Sequence, residues 1–234
     1  MHSTDTAEVV ELQPHKRVND ILLGPIERPI LNWLVKRMPL WVTPDILTGF
    51  GVFAGLIIFI SYALTVYHPG FLWLANLGFV LNWLGDSLDG NLARYRHIER
   101  PKYGYFIDHT VDALSELMIG IGIGLSPYIR FDLALLALIS YLLMSILVYI
   151  TTYVKGVFQI SYSKIGPTEI RAILILANTL IFFIGNPRID IGFGQLTIYD
   201  HIAIIFAAAL FIVFIVFTLK QASEIARSES HKSR

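Results

Sequence analysis

Four regularly spaced aspartates carry the chemistry most easily read from this chain. Asp86 and Asp89 are three residues apart, Asp108 and Asp112 four apart, and Gly90, Ala93, Arg94 and Gly104 lie between the pairs. On a helix, spacings of three and four place side chains on one face, so two facing helices would converge all four acids. Four anions gathered in a low-dielectric setting repel one another and are costly to desolvate. Arg94 is the obvious cation of the interval, so a divalent metal ion is the natural counter-charge. Oxygen-only ligands suit magnesium, manganese or calcium.

The elements that must position these acids are set by an apolar composition. With 234 residues, 55% hydrophobic and 15% charged, and a mean hydropathy of +0.61, the chain reads as a polytopic membrane protein rather than a soluble domain. The absence of cysteine excludes disulfides and thiolate metal sites. A net charge of zero gives no indication of a nucleic-acid partner. The first forty residues lack a short apolar core followed by a small-residue cleavage site, so no cleaved signal peptide is expected.

Residues 1–17 are polar, and from Val18 to Met38 apolar positions alternate with Glu27, Arg28, Lys36 and Arg37. That pattern predicts an interfacial amphipathic helix bent near Pro29, with an ordinary surface helix as the alternative. Six spans follow, at 45–66, 71–95, 104–125, 131–154, 168–186 and 199–219, most of them separated by proline-containing breaks. The predicted fold is all-α, a six-transmembrane helical bundle with an N-terminal amphipathic interfacial helix. Its divisions are a cytoplasmic N-terminal region (1–42), the six-span domain (43–220) and a cytoplasmic C-terminal tail (221–234). The 187–198 loop alternates enough to predict a short extended segment. All but two of the 18 Lys and Arg fall on one side of this arrangement, which puts both termini and the aspartates in the cytoplasm.

Asp108, His109, Asp112, Ser115 and Glu116 occupy the cytoplasmic half of the third span, and Asp86, Asp89, Asn91 and Arg94 the same end of the second. Adjacent antiparallel spans would therefore form one cavity open to the cytoplasm. Intramembrane ionisable groups need partners or water, and they mark function by default. His109 fits a local hydrogen bond better than metal ligation. Glu116 either extends the cavity or pairs with a basic neighbour. Spans four and six look nearly apolar throughout, and Trp73, Trp83, Phe182 and Phe183 read as core or lipid-facing residues.

The constellation resembles the CDP-alcohol phosphotransferase family, whose signature runs D-x-x-D-G-x-x-A-R and, after a short interval, G-x-x-x-D-x-x-x-D. Asp86, Asp89, Gly90, Ala93, Arg94, Gly104, Asp108 and Asp112 match it, with the interval one residue longer than the family spacing. The family's P-N-x-x-T is matched by Pro44 and Thr48, but Asp45 stands where the family has asparagine and exchanges an amide for an acceptor-only group. Thr43 as N-cap and Pro44 at the first helical position would explain the same stretch without a ligand. The two readings are compatible.

The resemblance implies transfer of a substituted phosphate from a CDP-linked donor to an alcohol acceptor, with release of CMP, in a bilayer and in a homodimer. It implies a two-metal site of magnesium or manganese on Asp86, Asp89, Asp108 and Asp112, with Asp112 also the base for the acceptor hydroxyl. Thr48, Gly90, Ala93, Arg94 and Gly104 become nucleotide and phosphate contacts, joined by Asp45 if a carboxylate can replace the amide.

Lys155, Lys164 and Arg171 on the cytoplasmic side are candidates for binding a phosphorylated acceptor, although positive-inside topology alone also accounts for the lysines. Phe106-Ile107-Asp108-His109 is similar to the Phe-Asp-His stretch of choline and ethanolamine phosphotransferases, offset by one apolar residue. The reading favours CDP-diacylglycerol as donor, with CDP-choline or CDP-ethanolamine transfer to diacylglycerol as the alternative. A UbiA-type prenyltransferase would show more spans and two separate Asp-rich motifs lacking D-G-x-x-A-R. A divalent-cation transporter would spread polar residues through the membrane depth.

Overall fold

Proline and apolar runs set the element boundaries. A computed structural model describes residues 16–18, 22–155, 157–159, 166–190 and 195–232. Helix α1 (Gly24–Val35) has Pro25 in its first turn and tolerates Pro29 in its second. Helix α2 (Pro44–Leu64) starts as the sequence predicts, with the Thr43 hydroxyl oxygen accepting from the Ile46 amide at 3.3 Å. Helices α3 (Phe71–Tyr95) and α4 (Pro101–Leu125) follow, then α5 (Phe131–Lys155). Helix α6 (Pro167–Ile184) is capped where Glu169 Oε2 accepts from the Gly166 amide at 2.8 Å. It ends at Gly185, whose φ of 79° suits glycine. Helix α7 (Ile198–Lys232) closes the chain.

Two short strand pairs accompany the helices. Strand β1 (Lys16–Val18) pairs in parallel with β2 (Val157–Gln159), joining the N-terminal region to the segment after α5. Strands β3 (Arg188–Asp190) and β4 (Gln195–Thr197) pair antiparallel, so the extended segment expected at 187–198 is a two-stranded ribbon.

By length and composition, α2, α5, α6 and α7 are apolar enough to cross a membrane. Four of the six expected spans thus meet that standard. Helices α3 and α4 are as long as α5, at 25 residues each, but they carry the four aspartates. The expected N-terminal helix is shorter than 18–38, and the expected tail is largely a continuation of α7, which meets no glycine or proline after Ile198. Lys155 Nζ reaches Glu224 at 2.6 Å and ties the end of α5 to this extension.

The core lies where α2, α3, α4 and α6 meet. Gly51 and Gly85 let α2 and α3 touch backbone to backbone, because a Cβ on Gly85 would lie 2.7 Å from the Gly51 amide nitrogen and Cα. Ile58, Tyr62, Leu72, Ala75, Phe79 and Ile181 pack further along the bundle. A buried polar ladder fixes α6 on α3. Tyr62 donates to Asn178 at 2.8 Å, and Asn178 in turn donates to Asn76 at 2.8 Å. Leu31 and Val35 of α1 pack with Val42, Leu47, Leu88 and Leu92, whereas Ile26, Ile30 and Trp33 remain exposed.

Candidate active site

The close α2–α3 contact places Asp86 and Asp89 beside Thr48, and α4 presents Asp112 from the other side. These residues line one cavity with Gly51, Val52, Asn82, Val111 and Ser115. Thr48 Oγ1 donates to Asp89 Oδ2 at 2.6 Å, and Asn82 anchors the same contact by donating to the Gly51 carbonyl at 2.9 Å. Asp108 is within Coulombic range of both Asp89 and Asp112. Of the four acids expected to converge, Asp86, Asp89 and Asp112 line the cavity, and Asp108 lies beside Asp112 outside the lining.

Carboxylate oxygens of Asp108 and Asp112 and a ring nitrogen of His109 lie within 4.8 Å of one another, close enough for one ion. Such an oxygen-rich set with a single imidazole fits magnesium or manganese better than a thiolate-seeking metal. His109, which the sequence reading gave to a local hydrogen bond, thus joins Asp108 and Asp112 in a group able to hold an ion.

Arg171, at the start of α6, donates to Asp86 Oδ2 at 2.8 Å. Their side chains are 13% and 24% exposed, which makes this a largely buried pair. The guanidinium considered for a phosphorylated acceptor thus meets an acid of the signature itself. Around this pair, Glu27 of α1 accepts from Ser87 at 3.2 Å and from Thr168 at 3.1 Å, and Glu169 accepts from the Leu23 amide at 2.9 Å. Helix α1 is thereby fastened to α3 and α6 beside the site.

Away from the cavity lining, α4 packs against a wall from α5, which the hydropathy pattern had presented as nearly apolar. Tyr105, His109, Asp112 and Glu116 form one stripe of α4, and Tyr141, Ser145 and Tyr149, four apart, form one stripe of α5. The two run antiparallel. His109 stacks on Tyr149 with ring centroids 4.7 Å apart and meets Tyr105 in a tilted contact at 4.1 Å, and Ser145 donates to Glu116 at 3.4 Å. A spacing of four on α5 was the signal that could have exposed this wall.

The other predicted contacts lie further out. Arg94 is exposed and donates to Asn91 at 3.0 Å, with its guanidinium 3.4 Å from where a Gly90 Cβ would stand. Ala93 is half-buried on the same turn, and a Cβ on Gly104 would meet nothing within 4 Å. Asp45 is not among the cavity-lining residues. It pairs with Arg100 at 2.6 Å, both side chains about half exposed, and this neighbouring carboxylate holds the Arg100 guanidinium above its usual pKa. Arg96, another residue the sequence reading passed over, donates to the carbonyls of Met38 and Pro39 at 3.2 and 2.8 Å and pins the α1–α2 connection. Lys155 is engaged by Glu224, and Lys164 lies outside the described residues.

Fold and site together define a helical membrane protein with a carboxylate-lined cavity between α2, α3 and α4. The CDP-alcohol phosphatidyltransferase family model matches residues 41–218, and the chain belongs to that family. It is 28% identical to cholinephosphotransferase 1 of Rattus norvegicus over 189 residues, covering 76% of this chain and 47% of that protein. It is 33% identical over 147 residues to the CDP-diacylglycerol–serine O-phosphatidyltransferase of Encephalitozoon cuniculi, covering 55% of this chain and 37% of the other. The chain thus spans about half the length or less of these curated relatives. In fold it is similar to Mycobacterium tuberculosis phosphatidylinositol phosphate synthase with CDP-DAG bound, with a TM-score of 0.50 and 19% identity, over 85% of this chain and 90% of that one.

Proposed function

We propose that the chain is an integral membrane phosphotransferase of phospholipid synthesis. It moves a substituted phosphate from a CDP-linked donor to an alcohol and releases CMP. The observation that carries this reading is the convergence of Asp86, Asp89 and Asp112 on one cavity, with Asp108 beside Asp112.

The acceptor oxygen forms a bond to the donor phosphorus next to the transferred substituent, and the bond from that phosphorus to the CMP oxygen breaks. The hydroxyl proton passes to Asp112, a reading supported by its place in the cavity lining one turn beyond Asp108. Magnesium or manganese held by Asp86, Asp89, Asp108 and Asp112, in a two-metal site with His109 alongside, would neutralise charge gathering on the diphosphate and align the phosphate. Thr48 orients Asp89 and Arg171 orients Asp86, each by hydrogen-bonding one carboxylate oxygen. Arg94, Gly90, Ala93 and Gly104 offer a guanidinium and uncluttered backbone to the donor phosphates.

In this reading all six long helices span the bilayer, the aspartate end and both termini face the cytoplasm, and the protein is a homodimer. The exposed Ile26, Ile30 and Trp33 of α1 support its placement at the membrane surface. CDP-diacylglycerol is the favoured donor, and the similarity to cholinephosphotransferases favours CDP-choline transfer to diacylglycerol as the second reading. The test is CMP release by purified Asp89→Asn and Asp112→Asn protein. Loss of turnover in both, with CDP-donor affinity better kept in Asp112→Asn, is expected. Wild-type turnover in both overturns the proposal.

A further inference from the structure

Glu116 is a carboxylate that the four-aspartate chemistry does not use. It lies one helical turn beyond Asp112 on the same stripe of α4, well within the apolar length of the bundle. Among the described residues it forms no ion pair within 4 Å, and its hydrogen-bonding neighbour is the neutral Ser145 hydroxyl at 3.4 Å. Such a group inside a membrane protein is expensive unless it serves a cation. Arg171 is the cation within Coulombic range, and its guanidinium is already on Asp86. Tyr141 and Tyr149 also lie within Coulombic range of Glu116, and Tyr149 continues through His109 to Tyr105 as an aromatic wall. A carboxylate beside aromatic rings is the arrangement that receives an ammonium group.

We propose that Glu116, with Tyr141 and Tyr149 of α5, forms a subsite for the cationic nitrogen of an amino alcohol. The inference rests on the phosphotransferase reading and names the substrate class of that same site. An amino alcohol has its hydroxyl or its phosphate ester two carbons from the nitrogen. Its nitrogen at Glu116 would therefore leave that oxygen, the attacking hydroxyl of an acceptor or the ester oxygen on the donor's reacting phosphorus, near Asp112, one turn away. Two of the three cations considered for a phosphorylated acceptor fit that alternative less well, since Arg171 is held by Asp86 and Lys155 by Glu224. The nitrogen arrives on the donor, as in CDP-choline, or on the acceptor, as in free serine or ethanolamine.

Purified protein with manganese would be given CDP-choline and diacylglycerol in one arm and CDP-diacylglycerol with serine or ethanolamine in a second. A third arm would pair CDP-diacylglycerol with glycerol phosphate or inositol phosphate, measuring CMP in each. CMP in the first or second arm identifies which substrate carries the nitrogen. In that arm, Glu116→Gln should lower by about tenfold the preference for the charged substrate over its neutral isostere, in which carbon replaces nitrogen, and Glu116→Asp should restore part of it. A merely structural role would reduce both substrates alike and leave the ratio unchanged, which would overturn the subsite. CMP in the third arm alone would overturn it while leaving the phosphotransferase reading intact. CMP in no arm would overturn both.

Discussion

Gly85→Ala tests whether the site depends on the close α2–α3 contact. The added methyl would stand 2.7 Å from the backbone nitrogen and Cα of Gly51 and 2.8 Å from the Leu47 carbonyl oxygen. These are backbone atoms, so no side chain can swing aside. Restoring an ordinary separation of about 3.5 Å requires the helices to part by about 0.8 Å. The same movement would stretch the Thr48–Asp89 hydrogen bond from 2.6 Å to about 3.4 Å, beyond the useful range for two oxygens. Overpacking costs about 1–3 kcal/mol, and the lost bond to a charged group about 1.5–3 kcal/mol more. Gly49→Ala, on the facing helix α2, is the control, since a Cβ there meets nothing within 4 Å. Thermal unfolding of both variants in detergent, followed by tryptophan fluorescence, and CMP release below the transition are the assays. Gly85→Ala should unfold at markedly lower temperature and lose most activity, while Gly49→Ala should do neither. A Gly85→Ala protein with wild-type stability and turnover would refute the reasoning.

The remaining predictions address the site one contact at a time. Asp86→Asn and Asp108→Asn should both abolish turnover, but only Asp86→Asn should also destabilise the protein, by about 3 kcal/mol, because it strips the carboxylate from the largely buried Arg171; equal melting temperatures would count against that pair. Gly104→Ala should fold at least as well as wild type, alanine being the better helix former, yet bind the CDP-linked donor more weakly if substrate approaches this backbone, as titration calorimetry would show. Lys155→Ala should leave the acceptor KM unchanged, since its ammonium serves Glu224, and a strong rise in KM would return Lys155 to the site. The same ammonium holds the Glu224 carboxyl below its usual pKa, so this bond contributes fully above the ordinary carboxylate pKa and is lost as pH falls through the lowered value. Spin labels on α5 and α7 of this cysteine-free chain, introduced through engineered cysteines, should report the release on acidification and none in Lys155→Ala.

Local patterns made much of this molecule legible. Helix α3 was expected at 71–95 and runs Phe71–Tyr95, and the three- and four-residue spacings of the aspartates placed their shared face correctly. Hydropathy was less dependable where function or length intervened. The acids on α3 and α4 lower their apolar character without shortening them. The polar residues after Leu219 read as a tail, yet Ala, Glu, Arg and Lys are strong helix formers and nothing there breaks the helix. Contacts between distant segments were the least readable. Asp86 and Arg171 are 85 residues apart and Glu27 and Thr168 are 141 apart, and no periodicity encodes which helix faces which. On α5, aromatic and small polar residues were counted as apolar filler, although Tyr141, Ser145 and Tyr149 share a single face.

The most direct measurement of the central claim is CMP release by the purified protein in detergent, from CDP-diacylglycerol or CDP-choline with an alcohol partner, before and after chelation of divalent cations. The account predicts release that stops with chelation, returns with magnesium or manganese, and is absent from Asp89→Asn under every condition. Release indifferent to chelator, or equal in wild type and Asp89→Asn, would contradict it.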